Sequence, residues 1–236
     1  LANRFETTRW SLVLTAAAGT EQSREALEWL CSTYWYPLYA YVRHHVRDAE
    51  TARDLTQSFF LSLLVRESLS DVDPSHGRFR AFLLASIKHF LANERARTET
   101  LRRRADNPAF QLPLDHAEER LEADAATGAD PEQVFETRWA HAVLDRALTR
   151  LGAEFDATGK ADLFRQLSGH LAGGDAAPYE RIARELDMNE GALRVALHRM
   201  RRRLGSLLRQ EVSQTVASDD EVESEIRNLV QALGRA

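Results

Sequence analysis

The densest chemistry in this sequence lies between Tyr179 and Leu204. Arg194, His198, Arg199, Arg201 and Arg202 recur there with Glu190 at positions that share the outer side of a helix, while Leu193, Leu197, Met200 and Leu204 form its inner stripe. Guanidiniums on one helical face fork onto guanine edges or clasp phosphates, so the pattern points to nucleic acid rather than to bond-making chemistry. Just upstream, Ile182, Ala183 and Leu186 mark the inner face of a short helix, and Ala183 is small enough to let another helix cross closely. Asp187 and Met188 make the turn, and Asn189 is a good N-cap. The spacing predicts a helix-turn-helix. A helix lodged in a major groove uses its N-terminal half, so Glu190, Arg194, Val195 and His198 are the base-reading candidates, with Arg199, Arg201 and Arg202 holding the backbone. The bland alternative is a helical hairpin with a charged, solvated face.

A second basic face begins near Phe79. A helix there buries Phe82, Leu83, Ile87, Phe90 and Leu91 and exposes Arg80, Lys88, His89, Asn93, Arg95 and Arg97, and Arg102-Arg103-Arg104 prolongs that face into a stripe suited to phosphates. The preceding stretch from Asp71 to Arg78, which includes Asp73 and His76, reads as a tight loop. Catalysis is not expected. The chain has no G-x-S-x-G elbow, no phosphate-cradling P-loop and no H-E-x-x-H, and Gly173-Gly174 is a turn. His44, His45, His89, His141 and His198 lack metal-ligand companions in the sequence, so neither a metal nor a cofactor is expected.

Helices must position these faces. Leu27, Leu30, Tyr34, Leu38, Tyr41 and Val42 have helical spacing, and Pro37 is expected to kink that helix or start a new one. The aromatic cluster Tyr34, Trp35, Tyr36, Tyr39 and Tyr41 has the chemistry to stack on unpaired bases, but its periodicity assigns it to the core. A further helix from about Asp48 to Val65 turns Ala52, Leu55, Phe59 and Leu63 inward. Helices at about Glu132 to Leu151 and Ala161 to Leu171 precede the helix-turn-helix, with core from Phe135, Trp139, Val143, Leu144, Leu148 and Leu151. After Ser213, a capping box at Ser218-Asp219-Asp220-Glu221 opens a last amphipathic helix with Val222, Ile226, Leu229, Val230 and Leu233 on one stripe. That helix either docks on its own domain or offers a face to a partner.

Composition bounds the class. The 236 residues make one large domain or two small ones, and 44% hydrophobic with 28% charged residues is ordinary globular composition. Three isoleucines among abundant Ala, Leu, Arg and Glu argue against a β-rich fold. Cys31 is the only cysteine, so no internal disulfide or cysteine-rich zinc site can form, as suits a reducing cytoplasm. The run Arg9 to Ala18 imitates a signal peptide but is short and reads as the buried face of a first helix; no stretch approaches a membrane span. Residue 1 is Leu, and the true start is left open.

The net charge of −5 is not evenly spread. Residues 1–104 carry +3, 105–134 carry −7, 135–210 carry +3 and 211–236 carry −4. The expected fold is therefore all-α. Two small helical domains, 1–104 and 132–210, are joined by an acidic linker at 105–131 that is broken by Pro108, Pro113, Gly128 and Pro131, and an acidic extension, 211–236, carries the extra helix. The linker is a solvated tether or an extended acidic segment that occupies a basic channel in a partner.

Three segments of the first domain, Tyr36-Pro37-Leu38-Tyr39-Ala40-Tyr41-Val42, Asp54-Leu55-Thr56-Gln57-Ser58-Phe59-Phe60 and Phe79-Arg80-Ala81-Phe82-Leu83-Leu84, resemble region two of bacterial extracytoplasmic-function (ECF) sigma factors. The helix-turn-helix resembles their region four. The resemblance covers about residues 25–104 and 132–210, in order, with a linker between. It implies a cytoplasmic promoter-specificity subunit that acts only with bacterial RNA polymerase core. By resemblance, Asp54, Gln57, Ser58 and Phe60 fall where the family docks on the polymerase clamp. The loop from Asp71 to Arg78, with Asp73, His76 and Arg78, falls where a flipped base of the minus-ten element is captured; Arg80, Lys88, His89, Asn93 and Arg97 continue that face along the duplex. Glu190, Arg194, Val195, His198, Arg199 and Arg202 would read and hold the minus-thirty-five element. Trapping an unstacked base offsets the few kcal/mol needed to open the duplex, so no ATP hydrolysis is required.

Several positions depart from the family pattern. Arg53 and Ser58 stand where acidic residues are usual, which makes the docking face less negative; phosphorylation at Thr51, Thr56 or Ser58 is a candidate means of restoring it, and an ordinary surface substitution is the alternative. Asp187 replaces the usual turn glycine, and Val195 and Ala196 replace polar positions, so the promoter sequence cannot be carried over. An anti-sigma factor or a Ser/Thr protein kinase is a candidate regulator, and no membrane insertion is expected. The competing reading is a helix-turn-helix repressor or activator that binds an operator without polymerase; it leaves the first domain unexplained.

Overall fold

The computed structural model describes residues 21–46, 48–65, 78–100, 130–172, 177–216 and 218–234, apart from the side chains of 21–27, 64–65, 97–100 and 172. Secondary structure among the described residues is entirely helical. In chain order the helices are α1 (Glu21–His45), α2 (Ala49–Val65), α3 (Phe79–Thr100), α4 (Pro131–Ala157), α5 (Ala161–Leu167), α6 (Gly169–Ala172), α7 (Tyr179–Glu185), α8 (Glu190–Ser213) and α9 (Asp219–Leu233). No helix among the described residues is long and apolar enough to cross a membrane.

The chain divides into two compact units. One takes residues up to Ala142 together with those from Ser213 onward; the other is Val143–Val212. The division differs from the boundaries expected from composition. Residues 132–142 sort with the first unit rather than with α7 and α8, and the C-terminal extension belongs to that first unit too. Both segments bury apolar side chains, among them Phe135, Trp139 and Leu229, and both carry long-range ion pairs described below. Residues 105–129 of the acidic linker and the signal-like run at 9–18 lie outside the described residues, while Pro131, expected to end the linker, already opens α4.

In the first unit, α1 buries Tyr34, Trp35, Leu38, Tyr39, Tyr41 and Val42, so the aromatic cluster is core. Tyr34 meets Phe79 of α3 edge-on at 5.3 Å, and Phe59 of α2 meets Phe90 at 5.6 Å, the geometry that aromatic quadrupoles favour. No second helix begins at Pro37; α1 runs through it. A proline inside a helix costs roughly 3 kcal/mol, but each large side chain buried around it returns about 1.5–3 kcal/mol, so packing overrides the local break. Cys31 is buried, and burial pushes its thiol up to about 11. The N-terminus of α2 is capped by Asp48, whose carboxylate accepts the Thr51 N–H at 2.7 Å and the Thr51 hydroxyl at 2.5 Å.

The second unit has two joined clusters. Leu167, Ile182, Leu193, Leu197 and Met200 form one, walled by Phe155, Phe164, Tyr179 and Met188. Ala147, Leu151, Leu204 and Leu207 form the other. Gly152 lets α4 and α5 approach, since a Cβ there would lie 3.0 Å from the Phe164 ring. Carboxylates on one helix then clasp arginines on another. Buried Glu211 of α8 accepts Arg146 at 3.2 Å and Arg150 at 2.6 Å, and Glu154 of α4 takes a two-pronged bond from Arg203 at 2.7 and 2.5 Å. These bonds hold the long α8 in place along α4.

Candidate nucleic-acid interface

In the second unit the turn between α7 and α8 is built by backbone chemistry. Leu186 N–H donates to Ile182 O at 3.0 Å and Met188 N–H donates to Ala183 O at 2.9 Å, while Asp187 adopts φ +50°. That is the six-to-one closure of a Schellman end, with aspartate in the left-handed position that glycine usually fills. The chain then re-enters a helix. Asn189 Oδ1 accepts the Ala192 N–H at 2.7 Å and its carbonyl accepts the Leu193 N–H at 3.2 Å, so Asn189 is the N-cap expected from its type.

With Leu193, Leu197, Met200 and Leu204 turned inward, α8 presents Arg194, Val195, His198, Arg199 and Arg202 to solvent. Val195 is 51% exposed, unusual for a large apolar side chain. Arg194 is braced from two sides: Glu190 holds it at 3.2 Å, and its guanidinium lies 5.8 Å from the Tyr179 ring centre. Glu190, half-buried, thus orients the Arg194 guanidinium on the outer face of α8. Arg199 and Arg202 have no ion-pair partner among the described residues. Arg201 instead donates to the His170 carbonyl at 3.2 Å and Arg203 is paired with Glu154, so alternate arginines of the run are structural. A groove of about 780 Å³ runs along α8, with Lys160, Leu163, Met188, Ala192, Val195 and Arg199 in its walls.

The first unit treats its basic face differently. His89 and Asn93 are exposed on α3, as expected, but Lys88 is ion-paired with Glu132. That bond raises the Lys88 ammonium above its ordinary value. Arg80, expected at the surface, is 7% exposed. Its Nε and Nη2 grip Glu225 of α9 at 2.5 and 3.2 Å, its Nη1 grips Glu136 of α4 at 2.6 Å, and its guanidinium lies 4.7 Å from the Trp139 ring centre. Burial works against the Arg80 charge, yet hydrogen bonds and charge from Glu225 and then Glu136 hold it above the ordinary arginine value. Arg78 joins the cluster, with Nε 3.0 Å from Glu225 and Nη2 2.6 Å from the Ser224 hydroxyl. Asp73, His76 and Arg102 to Arg104 lie outside the described residues, as does the side chain of Arg97.

On α2, Asp54 and Ser58 are exposed and Gln57 is half-buried. Phe60 is not available for docking: it is 7% exposed and packs edge-on against Phe59 at 6.1 Å. Thr56 is likewise no surface modification site, being fully buried with its hydroxyl donating to Ala52 O at 2.7 Å. Thr51 is exposed, but a phosphate on it would stand against the Asp48 carboxylate that caps the helix. Of the three hydroxyls, Ser58 alone combines exposure with an undisturbed helix.

The C-terminal helix also departs from expectation. Ser218 is its N-cap in extended backbone, but no side-chain cap bond forms, so the capping box is not made. The buried stripe is Val222, Glu225, Leu229 and Ala232, whereas Val230 is 61% exposed. Glu225 is the residue that sequence reasoning missed. Its signal was present: the register 222, 225, 229 and 232 places one carboxylate on an otherwise apolar face, which requires a cationic partner. Glu132 and Glu136 carried no such signal, since both sit in an acidic helix start.

Among the described residues no group of His, Cys, Asp and Glu side chains is arranged to hold a metal ion. Compared with protein-family models, with curated proteins and with solved structures, the chain matches none.

Proposed function

We propose that this chain is a sigma factor of the ECF kind, which binds bacterial RNA polymerase core, recognises minus-ten and minus-thirty-five promoter elements and promotes initiation of transcription. The observation that carries the reading is the solvent-facing row Arg194, Val195, His198, Arg199 and Arg202 on α8, set behind a capped helix-turn-helix turn. Three guanidiniums, an imidazole and one bare apolar side chain are what a major groove can use, because guanine accepts a guanidinium fork and thymine offers a methyl group. The resemblance of the three N-terminal segments to region two adds the polymerase half of the reading. Asp54, Gln57 and Ser58 would meet the clamp, with His89 and Asn93 on the face that meets the duplex.

Run-off transcription from a library of bacterial genomic fragments tests it. Core polymerase with the chain is expected to give start-site-specific transcripts that core alone does not, and Arg194→Ala is expected to reduce them at least about fivefold, the weight of one guanidinium fork at about 1–3 kcal/mol. Absence of both transcripts and core binding would contradict the reading.

A second reading is favoured by one observation. Phe60, Arg78 and Arg80, which the sigma reading places on partners, are packed or ion-paired within the chain. A helix-turn-helix regulator that binds an operator unaided needs none of them. In the same assay it would repress or leave unchanged transcription by a complete holoenzyme, and give nothing with core.

A further inference from the structure

Two guanidiniums converge on one carboxylate at the start of α3. Arg80 addresses both oxygens of Glu225 as a fork, and Arg78 closes on Oε2 from the other side. A phosphodiester offers the same two acceptor oxygens and the same single charge as that carboxylate. We infer that Arg78 and Arg80 form a site for the DNA backbone, and that Glu225 is its internal occupant, a competitor carried by the chain's own C-terminal helix. The inference rests on the sigma reading for its ligand, and it accounts for the two arginines that are turned inward.

The site is built to keep its shape when the occupant changes. Glu136 holds Arg80 from a different helix, and the Trp139 ring lies against its guanidinium, so the fork stays oriented without Glu225. The side chain of Arg78 is 31% exposed and forms the edge open to solvent. Glu225 itself is fully buried, so an incoming phosphate reaches the fork only when α9 leaves.

The competitor is held by modest forces. α9 has 15 residues, a length at which an isolated helix is marginal, so it is ordered mainly by docking. Its apolar hold on the unit is Val222, Leu229 and Ala232, and the Phe79 N–H to Thr215 O bond at 3.1 Å pins the segment that leads into it. Its first turn carries Asp219, Asp220 and Glu221, charges that an approaching duplex repels. Departure of α9 brings water to Arg80, so the broken ion pair leaves no charge stranded in the core. Release is therefore an order-to-disorder step on one helix, with DNA and Glu225 as mutually exclusive ligands.

The test uses the full-length chain and a fluorescein-labelled duplex of mixed sequence, with binding read by anisotropy over a salt series. Two variants free the fork by independent routes: Glu225→Gln removes the competing charge, and Ala232→Asp unseats α9 with Glu225 intact. Both are expected to bind about tenfold tighter at low salt and to show a log–log salt slope steeper by about 1.8, two added phosphates at about 0.9 each. Arg78→Met with Arg80→Met in the Ala232→Asp background is expected to abolish that gain. Should Glu225→Gln fail to fold by circular dichroism, Ala232→Asp carries the comparison. Folded variants with wild-type affinity and slope overturn the competitor, and if the wild-type chain still directs transcription with core, the sigma reading survives that result. A gain in affinity and slope without any transcription supports the competitor and removes the sigma reading.

Discussion

Asp187 holds φ +50°, a conformation that costs an ordinary L-residue about 1–2 kcal/mol and a β-branched one more. Asp187→Val is therefore expected to lower the stability of the second unit by at least that amount, whereas Asp187→Gly should leave it within about 0.5 kcal/mol, both read from denaturant midpoints. Loss of the neighbouring cap in Asn189→Ala should cost about 1 kcal/mol by the same measurement. Val195 makes a sharper prediction about recognition. If its exposed side chain packs on a thymine methyl, replacing one thymine of a selected site by deoxyuridine should weaken wild-type binding about five- to tenfold and leave Val195→Ala unaffected. Equal losses in both proteins would show that Val195 does not touch that methyl. At this scale the sequence was legible wherever the physics is local. Asp187 and Asn189 declare themselves by type and by their place in a turn. Arg80 did not, because its partners Glu136 and Glu225 lie 56 and 145 residues away and no periodicity of α3 contains them.

Helix positions were legible for a related reason. The starts of α2 and α3 and the buried stripe of α8 follow from periodicities in which each apolar side chain answers to the same core. Pro37 starts no new helix because a breaker signal is weak against the burial of an aromatic-rich helix. Thr56 misled because a small hydroxyl bonded back to its own helix is as comfortable inside as outside. That difference between faces of α2 is testable. Thr56→Glu is expected to unfold the first unit by burying an unpaired carboxylate, while Ser58→Glu should melt like the wild type and, under the sigma reading, bind core more tightly. Loss of structure in Ser58→Glu, or none in Thr56→Glu, would contradict the assignment of faces. Between α4 and α8, the Arg203 hydrogen bond holds the Glu154 carboxyl below its ordinary 4.5. Its contribution is therefore complete above that value and is lost as pH falls through the lowered one. Glu154→Gln should make the second unit less stable near neutrality, with the difference from wild type closing in acid.

At the scale of the whole chain, and under the sigma reading, two mildly basic stretches separated by acidic ones are a compromise between binding DNA and remaining selective. A chain with a uniformly basic surface would hold any duplex; here Arg78, Arg80, Arg194 and Arg203 are tied to carboxylates of the same unit. The division into units was the least legible feature. Composition locates a boundary by its turn signals, but residues 131–142 and the C-terminal helix belong to the first unit, where they bury Phe135, Trp139 and Leu229 and join Arg80 to Glu136 and Glu225 across long stretches of chain. Charge blocks along the sequence therefore describe solubility and steering better than they describe domains. The central claim is that this chain lends polymerase the ability to open chosen DNA. Permanganate reactivity of thymines across the minus-ten element of a library-selected promoter measures that opening directly. Core and chain together are predicted to make those thymines reactive without ATP, and neither alone to do so; protection or no change in the mixture, with the chain alone gripping the same fragment, contradicts the account.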